Sequence, residues 1–250
     1  MSPDRRNNIT KIVIPLAIWL AVWQFAAMGM DSKHLLPSPV DVCRSLISLA
    51  GDAKFWLSAL YSLFRILLGL FGGALAGFAL AFLTHFVKLA DTVLSPAIRV
   101  LRATPVVSFI LLIYLWVSRA NIPSLISGLM VLPVVWSNIT AGLSAVDGQL
   151  LEMAKAYRFS RLKTLWLIYL PSLRSHISSC ILTSFGLAWK SGVTAEVICP
   201  PKYAIGTQLK QARDAIETPD LFAWTVVIIL LSLLLEAILR RLLRKGEVAG

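Results

Sequence analysis

Apolar residues run in long blocks along this chain of 250 residues, without the short alternation of a soluble domain. A hydrocarbon layer about 30 Å thick takes roughly 20 apolar residues when crossed by a helix. Six stretches meet that need, at about 12–30, 56–86, 95–118, 122–146, 175–198 and 221–239. The second leaves room for a tilted helix with an interfacial lead-in, and the fifth is the least apolar. Arg5, Arg6 and Lys11 precede the first run as they would in a signal peptide. No small-residue cleavage site follows, so the pattern predicts an uncleaved first helix. Between the fourth and fifth runs, 147–171 is too charged to span yet rich in helix formers. Asp147 is placed to N-cap a short helix up to about Arg158. Ser160 is placed to N-cap a second one ending before Pro171.

Composition agrees with the pattern: 57% of residues are apolar and only 15% charged. A soluble domain averages roughly 45–50% and about 25%. A water-soluble fold is excluded, and the chain is an all-α integral membrane protein. Its net charge of +11 needs no nucleic acid, because basic residues collect in cytoplasmic loops. With the amino terminus inside, fifteen of the 24 cations fall in inner segments and seven in outer ones, leaving Arg65 and Lys190 with the spans. That asymmetry predicts both termini in the cytoplasm of a bacterial inner or plasma membrane. The longest non-spanning stretches leave no room for a separate soluble domain.

Chemistry is sparse. Cys43, Cys180 and Cys199 have no CxxC spacing and the three histidines form no HExxH, so no metal is expected. No GxxxxGK[ST] is present to cradle a nucleotide. Ser160 and Lys163 spell SxxK, but in a basic loop without a companion motif. Transport by a chain without its own motor fits better than catalysis. The physical pattern of 147–171 suits a docking element, or equally an interfacial helix pair anchored by Trp166 and Tyr169.

Residues 152–171 are similar to the E-A-A-x3-G-x9-I-x-L-P loop of ABC importer permeases. Glu152, Ala154, Ile168, Leu170 and Pro171 match without a gap. Met153 replaces an Ala, and Arg158 stands where the Gly is expected. Leu36-Pro37-Ser38-Pro39 and Ser62-Leu63-Phe64-Arg65 with Gly69, Gly73 and Gly77 resemble motifs of the nitrate/sulfonate/taurine subgroup. So do Leu101-Arg102-Ala103-Thr104-Pro105, Leu187-Ala188-Trp189-Lys190 and Ala195-Glu196-Val197-Ile198. The resemblance implies a type I (MetI-like) permease with six transmembrane helices. It implies an ABC ATPase dimer in the cytoplasm, an extracytoplasmic binding protein, and a second permease copy. No cofactor is expected in this chain, ATP and Mg being held by the partner ATPase. Glu152, Met153, Ala154, Ala156, Arg158 and Ser160 would then form the coupling segment.

Ionisable residues inside a span cost about 2.5–3.5 kcal/mol on insertion scales, so they usually face a cavity or a partner. Arg65, Lys190 and Glu196 are therefore candidates for the translocation pathway, with Trp189 beside Lys190 placed either to pack or to line it. Snorkelling of Arg65, Lys190 and Glu196 toward the outer interface is the plainer alternative. Gly69, Gly73, Gly77 and Ala81 line one face of the second run, for packing within the chain or between two copies. Pro15 and Pro133 are possible kinks. A secondary transporter or channel working without an ATPase is the competing class, though no inverted repeat supports it.

Overall fold

The computed structural model describes residues 3–30 and 35–248, without the side chains of 3–13, 16 and 244–248. Every regular element among them is helical: α1 (Pro3–Gly29), α2 (Pro39–Ala50), α3 (Ala53–Phe86), α4 (Lys88–Ala103), α5 (Val106–Ile113), α6 (Ile122–Ser144), α7 (Gly148–Ala156), α8 (Arg161–Thr164), α9 (Leu170–Ser172), α10 (Arg174–Ile198), α11 (Ile205–Asp214) and α12 (Thr218–Val248). The side chains of Arg5, Arg6, Lys11, Lys33, Arg244 and Lys245, which enter the charge asymmetry, lie outside the described residues.

Helices α3, α6 and α10 form the centre. Gly69, Gly73 and Gly77 of α3 meet α6 so closely that no side chain fits between them. A Cβ on Gly73 would lie 2.3 Å from the Gly128 carbonyl oxygen, and one on Gly69 only 2.1 Å from that of Ser124. The small-residue stripe thus serves packing within the chain, because backbone contact at this range requires a missing Cβ. Helix α10 seals the third side. Ser127 Oγ donates to the Ala188 carbonyl at 3.1 Å, and Ile66, Val131, Val135, Phe185 and Trp189 fill the space between. Trp136 Nε1 donates to Thr84 Oγ1 at 3.0 Å, fastening α6 to α3 one level down.

The Leu36-Pro37-Ser38-Pro39 segment is a helix start. Ser38 Oγ accepts from the Asp41 amide at 3.2 Å, Pro39 takes the first turn where its missing N–H costs nothing, and Trp23 Nε1 donates to the Pro37 carbonyl at 3.1 Å. On their outward sides α3 and α12 carry exposed Leu60, Phe64, Leu68, Phe71 and Leu75, and Ile229, Leu230, Leu233 and Leu234. Those are exposed apolar faces on helices long enough to cross a bilayer.

Three helices are long and apolar enough to cross a bilayer, α3, α6 and α12 as far as Leu243, among the described residues. The expected third span, 95–118, is not one straight helix. Helices α4 and α5 meet at an angle of 104° and pass only as a bent pair. The cause is Pro105, which drives Thr104 out of the helical region to ψ 133°. Helix α4 is amphipathic: Ser95 and Ile98 face inward, whereas Asp91, Arg99 and Arg102 are exposed. Helix α5 has eight residues and rises only about 12 Å. Helix α10 is long enough, but serines, threonines, Lys190 and Glu196 dilute it. In α1 the apolar helix among the described residues is Ala17–Gly29, with Gln24 inside it. Neither Pro15 nor Pro133 interrupts its helix.

Candidate functional site

Two polar assemblies occupy opposite ends of α3, about 30 Å apart at 1.5 Å per residue between Ser62 and Phe82.

At one end is the loop joining α6 to α10. Asp147 caps α7 by accepting from the Gln149 amide at 2.9 Å. The helix closes with the Phe159 amide on the Ala154 carbonyl at 2.8 Å and the Arg158 amide on that of Lys155 at 3.0 Å. That pair is a Schellman turn, and Arg158 occupies its left-handed position with φ 51°. A glycine belongs there because a Cβ is strained in that region. Arg158 makes the same turn at some cost. Ser160 Oγ then accepts from the Lys163 amide at 3.3 Å and opens α8.

The second helix does not stop before Pro171. A π-type turn at Leu165–Tyr169 widens the path, leaving room for the proline ring, which would otherwise strike the carbonyl four residues earlier. The chain then continues through α9 into α10. Glu152, Met153, Ala156, Arg158 and Ser160 are exposed, whereas Ala154 is buried. Ala154 faces a groove of about 790 Å³ walled by Phe82, Phe86, Leu151, Phe159, Leu165 and Tyr169. Lys163 Nζ sits 4.2 Å from the Phe159 ring centre.

The other end gathers Arg65 and Glu196, expected from the sequence, with Ser62, Tyr203, Ile205 and Gly206, which sequence reasoning did not assign a role. The Glu196 carboxylate is fully enclosed. It accepts from Ser62 Oγ at 2.8 Å and from the Gly206 amide at 3.1 Å. Ser62 Oγ in turn accepts from the Ile205 amide at 2.8 Å. Helix α11 has no side-chain cap of its own at Ala204, so Ser62 and Glu196 together satisfy its first amides. Anions at a helix N-terminus are also favoured by its dipole.

Arg65 donates to the carbonyls of Tyr203 and Lys202 at 2.9 and 3.0 Å and lies 3.9 Å from Glu196 Oε1. Gly206 allows the close approach, since a Cβ there would fall 2.5 Å from Glu196 Cβ. The snorkelling alternative therefore fails for Glu196, which points into the protein. Signals for the missed partner did exist: Ser62 and Arg65 are spaced i, i+3 and share one helix face.

Trp189 is buried and stacked with Phe185 at 6.3 Å between ring centres. It is core, not wall. Lys190, about 100° further around α10, is exposed. No group of His, Cys, Asp or Glu able to hold a metal occurs among the described residues.

The chain resembles known proteins. The chain is 28% identical to the taurine transport system permease protein TauC of Escherichia coli K12, over 97% of this chain and 92% of that one. It is 27% identical to the putative aliphatic sulfonates transport permease protein SsuC of Bacillus subtilis 168, over 96% and 88%. The nitrate import permease protein NrtB of Synechocystis is 24% identical over 79% and 78%. A solved amino acid ABC transporter, crystallised with histidines, shares the fold. Its TM-score is 0.64 over 88% of this chain and all of that one, at 19% identity. Residues 69–246 match the family of binding-protein-dependent transport system inner membrane components. With most of its length inside that match, the chain belongs to this family and is an ABC transporter permease subunit of the nitrate/sulfonate/taurine type, carried on the MetI-like all-helical fold.

Proposed function

We propose that this permease forms the membrane pathway of an importer for a small anionic or heterocyclic solute, driven through α7 by a separate ATPase. The supporting observation is the construction of the 147–171 loop. It presents a short, self-capped helix with Glu152, Met153, Ala156 and Arg158 exposed, the form needed by an element that another subunit pushes. ATP and Mg belong to that partner dimer. An extracytoplasmic binding protein delivers the solute to the opposite end, and a second copy of this chain completes the pathway. Both termini lie in the cytoplasm. Glu152, Met153, Ala156, Arg158 and Ser160 make mechanical contact, and Ala154 anchors α7 to its groove.

In the pathway itself, the exposed face of α10 with Lys190 forms the wall, and Arg65, Trp189 and Glu196 hold that wall in place. Gentle purification of the tagged chain from its native membrane, followed by identification of co-purifying proteins, tests the reading. An ABC ATPase is the expected companion, lost on Glu152→Ala without loss of membrane insertion. A dimeric permease with no ATPase would overturn it in favour of a secondary transporter.

A further inference from the structure

Two cations, Arg65 and Lys190, lie within or beside the spans, and the fold treats them oppositely. Arg65 is spent on the carbonyls of Lys202 and Tyr203, on Glu196, and on the Tyr61 ring at 5.6 Å. Lys190 is exposed, and its side chain has no hydrogen bond or ion pair among the described residues. The nearest acid on its own helix, Glu196, is enclosed and turned toward Ser62 and Gly206.

Lys190 does not escape by snorkelling. It lies six residues deeper than Glu196, about 9 Å along the axis, whereas a lysine stem reaches only about 6 Å. Side chains on a helix also lean toward its N-terminus, which for α10 is the far end. The ammonium therefore stays at depth.

Its surroundings are not built for lipid. Ser179, Thr183, Gly186, Lys190 and Thr194 follow one another at spacings of four, three, four and four, within an arc of about 80° at 100° per residue. Ser179 and Thr183 are exposed with Lys190, and a Cβ added to Gly186 would meet nothing within 4 Å. The exposed faces of α3 and α12 carry leucine, isoleucine and phenylalanine at comparable positions. Polar side chains facing hydrocarbon are costly, so this strip faces water or a polar occupant. The hydroxyls of Thr183 and Thr194 donate to the backbone carbonyls of Ser179 and Lys190 at 3.1 and 2.8 Å. Their protons are thus already used, which leaves Lys190 as the strong donor of the strip.

We infer that Lys190 is the residue through which the pathway selects an anionic solute, while Arg65 serves only to hold the end of α11. This inference rests on the reading of α10 as pathway wall. An anion crossing the apolar interior needs a compensating charge, and a single lysine supplies it without the bidentate grip that would retard release.

Cysteine labelling of the intact complex in native membranes separates the inference from the reading beneath it. The background carries Cys43→Ser, because Cys43 is exposed while Cys180 and Cys199 are buried. Thr183→Cys is then reacted with a negatively charged sulfonate thiosulfonate reagent and a positively charged trimethylammonium one. Both label it, whereas Phe71→Cys on the lipid face of α3 resists both. The anionic-to-cationic rate ratio falls about fivefold when Lys190→Gln is added and is retained in Lys190→Arg, with each variant inserted at normal level. Labelling with a ratio unchanged by Lys190→Gln overturns the role of Lys190 and leaves the pathway standing. Resistance of Thr183→Cys to both reagents overturns the pathway reading of α10, and the inference with it.

Discussion

Helices α7 and α11 are nearly equal in length, nine and ten residues, yet they are held by opposite means. Everything that terminates α7 comes from within 147–159: the Asp147 cap at one end and the Arg158–Phe159 turn at the other. Everything that starts α11 comes from elsewhere, from Ser62 on α3 and Glu196 on α10. A locally capped helix keeps its shape when its surroundings move. A helix capped by its neighbours moves only with them. The first suits an element that receives a push, and the second suits one that must stay registered with the bundle.

That contrast can be broken experimentally. The largest effect is expected for Glu196→Ala, which leaves Ser62 Oγ and the Gly206 amide without their acceptor and Arg65 without its counter-charge. A loss of about 3 kcal/mol follows from breaking a buried charge network, read as a lower melting temperature in detergent with faster amide exchange across 205–214. An unchanged exchange pattern would mean that α11 does not depend on this cap. Ser62→Ala removes two hydrogen bonds and should cost about 2 kcal/mol, again with exchange rising at α11 and not at α7. Exchange rising at both would show the two ends to be coupled, against the comparison.

At the other end, Asp147→Ala should cost about 1 kcal/mol and loosen amides of 148–156 alone. The smallest effect is expected for Arg158→Gly. Relieving the left-handed strain should add about 0.5 kcal/mol of stability to the turn, seen as slower exchange at Phe159. A loss of protection there would mean that the arginine side chain holds the turn.

Much of this was legible in advance, and the reasons differ by element. Long apolar runs mark α3, α6 and α12 because the bilayer demands them. Asp147 and Ser160 could be read as caps because a cap acts within three residues of itself. The glycine row on α3 announced a close neighbour but not which one, since spacing describes one surface and the second surface, Ser124–Gly128, belongs to α6. The bend within 95–118 was not foreseen because hydropathy sums over a window while Pro105 acts at one bond. Pro171 misled the other way: a widened turn accommodates a proline that a regular helix would not. Trp189 shows the same limit: it is adjacent to Lys190 in sequence, yet a turn of about 100° around the helix takes it from the exposed face into the core.

The amino-acid sequence alone determined that this protein lives in a membrane, that its long apolar runs are helical, and where the 147–171 loop caps itself. Those properties follow from side-chain hydrophobicity and from hydrogen bonds spanning a few residues. Helices α2 and α11, in stretches read only as non-spanning, were not foreseen. Only the tertiary structure decided the partners of charge. Arg65, Lys190 and Glu196 look alike as ionisable residues within or beside the spans. Burial joins Glu196 to Ser62 and Arg65, 134 and 131 positions away, and leaves Lys190 open. A buried charge must find a partner wherever the fold brings one, and that distance is not written in any local pattern.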